Sequence, residues 1–255
     1  MCKKGFTLAE VLITLAVVGI VAASTIPAVV TKLTRQEFVT KLQKAHNTLV
    51  NTVKASEKEQ GPIQHWNWIP SGSTGGLTSE AFFNTYFKPH LDIMADCGVA
   101  TGETACFVTH GDYKSLSNNA LVAGWAGAPA NALSSSASYK FTTSDGISYA
   151  FVKTTQSNAT WSLVYVDVNG KKKPNQLGRD LFIFFIWHEA SDEARGGNPI
   201  RGVKPAGAYD PTYGLNISVS DRDGSDGSAC NAGVNNAAAG AFCTAKVLSE
   251  GGMNY

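Results

Sequence analysis

Charge is scarce in this sequence. Charged side chains make up 16% of the 255 residues, and 21 Lys/Arg against 20 Asp/Glu leave a formal net charge of +1. Near-neutrality supplies no bulk field for drawing in nucleic acid or a polyacidic partner. Catalytic signatures are also missing: the chain has no G-x-S-x-G, no phosphate-cradling P-loop and no dinucleotide fingerprint. None of its five histidines (His46, His65, His90, His110 and His188) is spaced i, i+4 from another, and no two cysteines stand as C-x-x-C. These absences exclude the common zinc-site spacings and leave a protein read as non-enzymatic and without a cofactor.

The charge that is present is unevenly placed. Between Phe6 and Val30 the only charged side chain is Glu10. As a helix this run spans roughly 37 Å at about 1.5 Å per residue, enough for a bilayer core of about 30 Å. Lys3 and Lys4 precede it, which keeps the N-terminus cytoplasmic and exports the rest. From Lys32 to Glu59, six basic and three acidic residues give +3; from Gln60 onward, 13 basic and 16 acidic residues give −3. Within the basic stretch Leu33, Phe38, Val39, Leu42, Ala45, Leu49, Val50 and Val53 recur at three- and four-residue steps, the stripe of an amphipathic helix. One long helix is therefore expected from Phe6 to Glu59. Pro27 should bend it, and Gly61-Pro62 should end it.

Beyond that helix the sequence reads as a β-rich domain. Strands are expected at 139–142, 147–153, 161–168, 181–187 and 215–219, with Asp145-Gly146 as a hairpin turn. Leu181–Trp187 is apolar on both faces and reads as a central strand covered on both sides, one cover being the long helix. A helix is expected over residues 79–94 with Ser79 as its N-cap. Residues 118–138 read as an irregular surface excursion, and the Trp66/Trp68 pair as core packing. Asp167, Asn169 and Asp180 offer a set of oxygens for a cation, with a plain turn around Asn169-Gly170 as the simpler account. Four cysteines allow three pairings, and Cys97 with Cys106 and Cys230 with Cys243 close the shortest loops. The Asp-rich stretch with Asp221, Asp223 and Asp226 invites a calcium reading. It departs from the EF-hand loop in its glycine and lacks the closing Glu, so a solvated turn is the plainer account.

Lys3-Lys4-Gly5-Phe6-Thr7-Leu8-Ala9-Glu10 resembles the processing site of the type IV pilin and type II secretion pseudopilin family. In that family a basic leader ends in Gly, Phe follows, and a Glu stands fifth after the cut; Gly19 and Pro27 also fall where the family has a helix glycine and a kink proline. The resemblance implies cleavage between Gly5 and Phe6 by a prepilin peptidase and N-methylation of Phe6. It further implies assembly through Glu10, Gly19 and Pro27 with other pilin or pseudopilin subunits, at the inner membrane and its assembly machinery. By the same resemblance the fold is α+β, a long N-terminal helix packed on an antiparallel sheet. Its parts are a leader (1–5), a membrane or filament-core helix (6–30), an amphipathic continuation (31–60) and an exported head (61–255). The alternative is a secreted or periplasmic binding protein whose first residues form an ordinary signal peptide cut near Val21-Ala22-Ala23. Against it stand Glu10 and the amphipathic helix beyond Pro27, which such a peptide does not need.

Overall fold

The computed structural model describes residues 5, 7–69, 73–121, 133, 136–153, 161–188, 201–210 and 215–255. Two units make up the chain, residues 1–37 and 38–255. Helix α1 (Leu8–Gln60, 53 residues) contributes to both. It ends where expected, because Gly61 takes a left-handed φ of +81° and Pro62 follows.

In the first unit α1 buries nothing large. Leu8, Leu12, Ile13, Leu15, Val18, Ile20, Ile26 and Leu33 are all exposed. Among the described residues this is the one helix long and apolar enough to cross a membrane. The second unit begins at Phe38, where the stripe Phe38, Val39, Leu42, Ala45, Leu49 and Val53 goes inside.

That stripe packs on a six-stranded antiparallel meander: β1 (Ile93–Gly98), β2 (Ser138–Thr143), β3 (Ser148–Val152), β4 (Trp161–Asp167), β5 (Leu181–Trp187) and β6 (Gly202–Pro205), neighbours in that order. The fold is α+β. Alternation along the strands makes two cores. On the helix side Phe141, Tyr149, Phe151, Val164, Val166, Phe182, Phe184 and Ile186 meet α1 and the short helix α2 (Ser79–Tyr86). His46 stacks on Phe184 at 5.7 Å, and Lys44 pairs with Asp145 in the β2–β3 turn at 3.0 Å. On the other side Leu163, Tyr165, Leu181 and Ile183 are covered by Cys106, Phe107, Tyr113, Leu177 and Phe242, all from segments outside helices and strands. A two-stranded ribbon, β7 (Tyr209–Asp210) with β8 (Leu215–Asn216), and two helices, α3 (Val219–Asp223) and α4 (Cys243–Glu250), follow β6.

Several expectations are corrected. Leu181–Trp187 is buried on both faces, yet it lies fifth of six, beside the edge strand β6. Its second face is buried by the covering coil, not by a central position. The helix expected over 79–94 stops at Tyr86, and Ile93 already belongs to β1. Pro89 disfavours a helical Lys88 and removes an amide, so only a 3₁₀ turn, Lys88–His90, follows. Thr78 caps α2, accepting from the Ala81 amide at 3.1 Å, whereas Ser79 donates to the Ala137 carbonyl at 2.6 Å. The strand expected at 215–219 shrinks to two residues because Ser218 caps α3. Most of the excursion over 118–138 lies outside the described residues. Trp66 is buried and stacks on Tyr86 at 4.6 Å.

The two halves of α1 predict a contrast. Leu42→Ala should lower the unfolding free energy by about 2–5 kcal/mol, the cost of a core cavity. Leu33→Ala should leave it within about 0.5 kcal/mol. Urea denaturation of both variants, followed by tryptophan fluorescence, checks the pair.

Candidate processing and assembly site

The helix start is built by two side chains. Thr7 precedes Leu8, and its hydroxyl accepts from the Glu10 amide at 3.3 Å. In return the Glu10 carboxylate oxygen Oε2 accepts from the Thr7 amide at 2.8 Å and from the Thr7 hydroxyl at 2.9 Å. This reciprocal arrangement is a capping box, which satisfies amides that a helix leaves unpaired in its first turn. The T-x-x-E spacing was visible in the sequence. Thr7 is thus the residue that sequence reasoning missed, although its signal was there. Gly5 is exposed just before the box, and Phe6 lies outside the described residues.

Further along, the polar side chains of the apolar run close on their own helix. Thr14 donates to the Val11 carbonyl, Ser24 and Thr25 to Val21, Thr31 to Pro27 and Thr34 to Val30, all at 2.9–3.0 Å. Such back-bonding suits a helix that must present no open donor to an apolar medium. Pro27 sits inside the helix and cannot donate to the carbonyl of Ala23. At Gly19 an added Cβ would meet nothing within 4 Å, so no intramolecular contact demands a glycine there.

Away from the N-terminus, Cys97 is bonded to Cys106 and Cys230 to Cys243, with Cα–Cα distances of 6.3 and 4.6 Å. Each closure contributes roughly 2–4 kcal/mol in the chain-entropy account. The second pins the Gly/Ala/Asn-rich tail: Gly240 donates to the Ala229 carbonyl at 2.8 Å, and Phe242 to Ser228 at 3.0 Å.

The three aspartates of the calcium reading do not converge. Asp221 accepts from the Ser218 hydroxyl at 2.7 Å, and Asp226 from the Ser228 amide at 2.8 Å. Asp223 is gripped by Arg222 at 2.7 Å and Lys246 at 2.9 Å. The Arg222 guanidinium, with Lys246 adding to it, holds the Asp223 carboxyl down at about 2. Glu250 joins the same network, 3.3 Å from Lys246, so α3 is tied to α4 by resident cations. Among the described residues, no three His, Cys, Asp or Glu side chains gather where a metal would sit.

Two measurements follow. Thr7→Ala should open the first turn by about 1 kcal/mol, seen as faster amide hydrogen exchange at residues 8–10 in micelles. Lys246→Met should lower stability by about 0.5–1 kcal/mol, and millimolar calcium should not restore it. Restoration by calcium would show that a cation can take the place of the ammonium.

Comparison with known proteins adds one finding and two negatives. Residues 1–26 match the family model described as the prokaryotic N-terminal methylation motif. No curated protein and no solved structure matches the chain. The matched span covers Gly5, Phe6, the Thr7–Glu10 box and the apolar run through Gly19, and it stops one residue short of Pro27. This chain therefore opens with the segment that is typical of type IV pilin and pseudopilin precursors.

Proposed function

We propose that the protein is a structural subunit of a type IV pilus or a type II secretion pseudopilus. In this reading residues 1–5 are a leader removed by a prepilin peptidase, and Phe6 becomes the N-methylated amino terminus. Residues 6–30 hold the subunit in the inner membrane and later line the filament core. Residues 31–60 continue the helix into the exported head, whose outer residues are 61–255. Its partners are other pilin or pseudopilin subunits, the peptidase and the assembly machinery, with no nucleic acid among them.

The observation that carries the reading is a single carboxylate in an apolar run directly after a removable basic leader. A buried charge in a membrane helix costs at least about 2.5–3.5 kcal/mol, which calls for a partner. Thr7 engages only Oε2 of Glu10, so Oε1 keeps its capacity to accept. The amine released at Phe6 on a neighbouring subunit supplies the complementary charge. Such a pair fixes axial register more than it adds stability. An ordinary signal peptide cut near Ala23 fits less well, because that cut falls inside α1 and removes Glu10 with most of the apolar run that the amphipathic half continues.

Mass spectrometry of the protein from its own cells should find a mature chain starting at Phe6 and carrying one extra methyl group. A start elsewhere would sink the processing. Glu10→Ala should stay in the membrane fraction yet vanish from sheared filaments; normal incorporation would remove the pairing role.

A further inference from the structure

Two carboxylates are buried at the foot of the loop that joins β4 to β5. Asp167 ends β4 and stands opposite Leu181, so Asp180 is its near neighbour, and the Val168 amide donates to the Asp180 carbonyl at 2.9 Å. Neither residue has exposed surface.

Their hydrogen bonds differ in kind. Both oxygens of Asp180 face backbone amides, Oδ2 that of Asn175 at 2.6 Å and Oδ1 that of Gln176 at 2.5 Å. Oδ1 of Asp167 accepts from the Asn169 amide at 3.0 Å, but its Oδ2 faces the hydroxyl of Tyr113 at 2.5 Å. An amide only donates, whereas a hydroxyl donates or accepts. The Gly170 amide also bonds to Asp167 and the Asn169 side chain to Asp180. The Tyr113 phenol is the one hydroxyl among these partners, so Asp167 Oδ2 can carry a proton against it.

The charged groups around the pair do not neutralise it. Before β2, Asp112 adjoins Tyr113, and the Lys114 ammonium is spent on the Gly111 carbonyl at 3.2 Å. In the loop itself Lys171 pairs with Glu103 at 2.6 Å, and Lys172 and Lys173 are exposed. Arg179 makes no ion pair with either aspartate. From the C-terminal segment comes the phenol of Tyr255, which donates to the Gly178 carbonyl. On β3 the residue opposite Asp167 is the uncharged Ser148. Among the described residues no cation compensates the pair, and two neighbouring buried carboxylates so placed cannot both ionise cheaply.

We propose that Asp167 keeps a proton at neutral pH and that the β4–β5 loop is thereby an acid-favoured latch on the C-terminal segment. The loop is well placed for that. At Gly178 (φ +83°) a Cβ would fall 2.8 Å from Cys243 Sγ, so the loop lies hard against the Cys230–Cys243 disulfide. Gln176 also holds the carbonyls of Ser115 and Leu116 at 2.9 and 3.1 Å. Burial first, and then the charge on Asp180, push the Asp167 carboxyl well above the usual aspartate range. With a folded pKa above the unfolded one, the contribution is full in acid and is lost as pH rises through the folded value.

Melting of the full-length protein in detergent micelles, scanned from pH 8 to pH 5 with a chelator present, tests the latch. The wild type should melt several degrees higher at pH 5 than at pH 8. In Asp167→Asn the slope should flatten, because an amide there can donate to Tyr113 and accept from Asn169. Should that variant not fold, infrared spectra of the wild type still decide, since a protonated carboxyl band should be present at pH 7 and fade at higher pH. Absence of that band overturns the proposal, as does an unchanged slope in a folded Asp167→Asn. A melting temperature raised by calcium in the wild type alone also overturns it, assigning the compensation to a cation.

Discussion

Helix α1 answers to two solvents, and the rest of the molecule depends on how it does so. Its second half is an ordinary core helix. Leu42 and Ala45 have no exposed surface and Leu49 almost none, and the sheet that receives them is aromatic on that side, with Phe141, Tyr149, Phe151, Phe182 and Phe184. The first half has the same kinds of side chain and no protein to cover them. Water is not a stable neighbour for so long an apolar surface, because transfer costs roughly 25 cal/mol per Å². A membrane or a bundle of like helices meets that demand, and the hydroxyls folded back onto their own carbonyls leave the surface suited to either.

Against that background the Thr7–Glu10 box has a double consequence. It starts the helix cleanly at Leu8, and it keeps the acid at the terminus folded against its own backbone. The carboxylate is therefore ordered before any partner arrives, and less side-chain freedom is lost when one does. A carboxylate in the first turn also lies at the positive end of the helix dipole.

Much of this was readable in the sequence, for reasons that differ by element. Strand β5 was found to its last residue because seven apolar residues between polar flanks admit few other readings. The β2–β3 hairpin followed from Asp145-Gly146, where Gly146 has a φ of +77°. The helix stop at Gly61 rested on equally local chemistry. The edge strands β1 and β6 were not seen. Each is short and half-buried, β1 is broken by register shifts, and β6 is recognisable only by its pairing with β5. At the candidate site, the leader, Phe6 and Glu10 were read from a local motif, and Thr7 needed only the T-x-x-E rule. The bond from Tyr113 to Asp167 links residues 54 apart, and nothing local announces it. The Lys246–Asp223 pair is hidden in the same way, so the sequence shows three aspartates in a turn but not the cations that hold one of them.

The buried polar groups share one cause. A sheet face covered by helices meets elements whose backbone bonds are already closed, whereas coil brings carbonyls and amides that still need partners. The second face of this sheet is closed by coil, and other irregular segments flank the first. Buried side chains supply what those segments lack. Lys153 holds the carbonyls of Ile69 and Leu77 at 2.5 and 3.0 Å, and Lys140 holds that of Ala100 at 2.9 Å. Burial lowers both amines, Lys140 to about 8. The indoles of Trp66 and Trp68 donate to Gly61 and Ile63 at 2.8 and 2.7 Å. Asp167 and Asp180 do the converse, collecting loose amides of the β4–β5 loop. Burying an ammonium or a carboxylate costs several kcal/mol, but leaving a buried carbonyl or amide open costs about 1–3 kcal/mol each, and every such side chain closes one or more. The charged interior of this head follows from covering a sheet with loops.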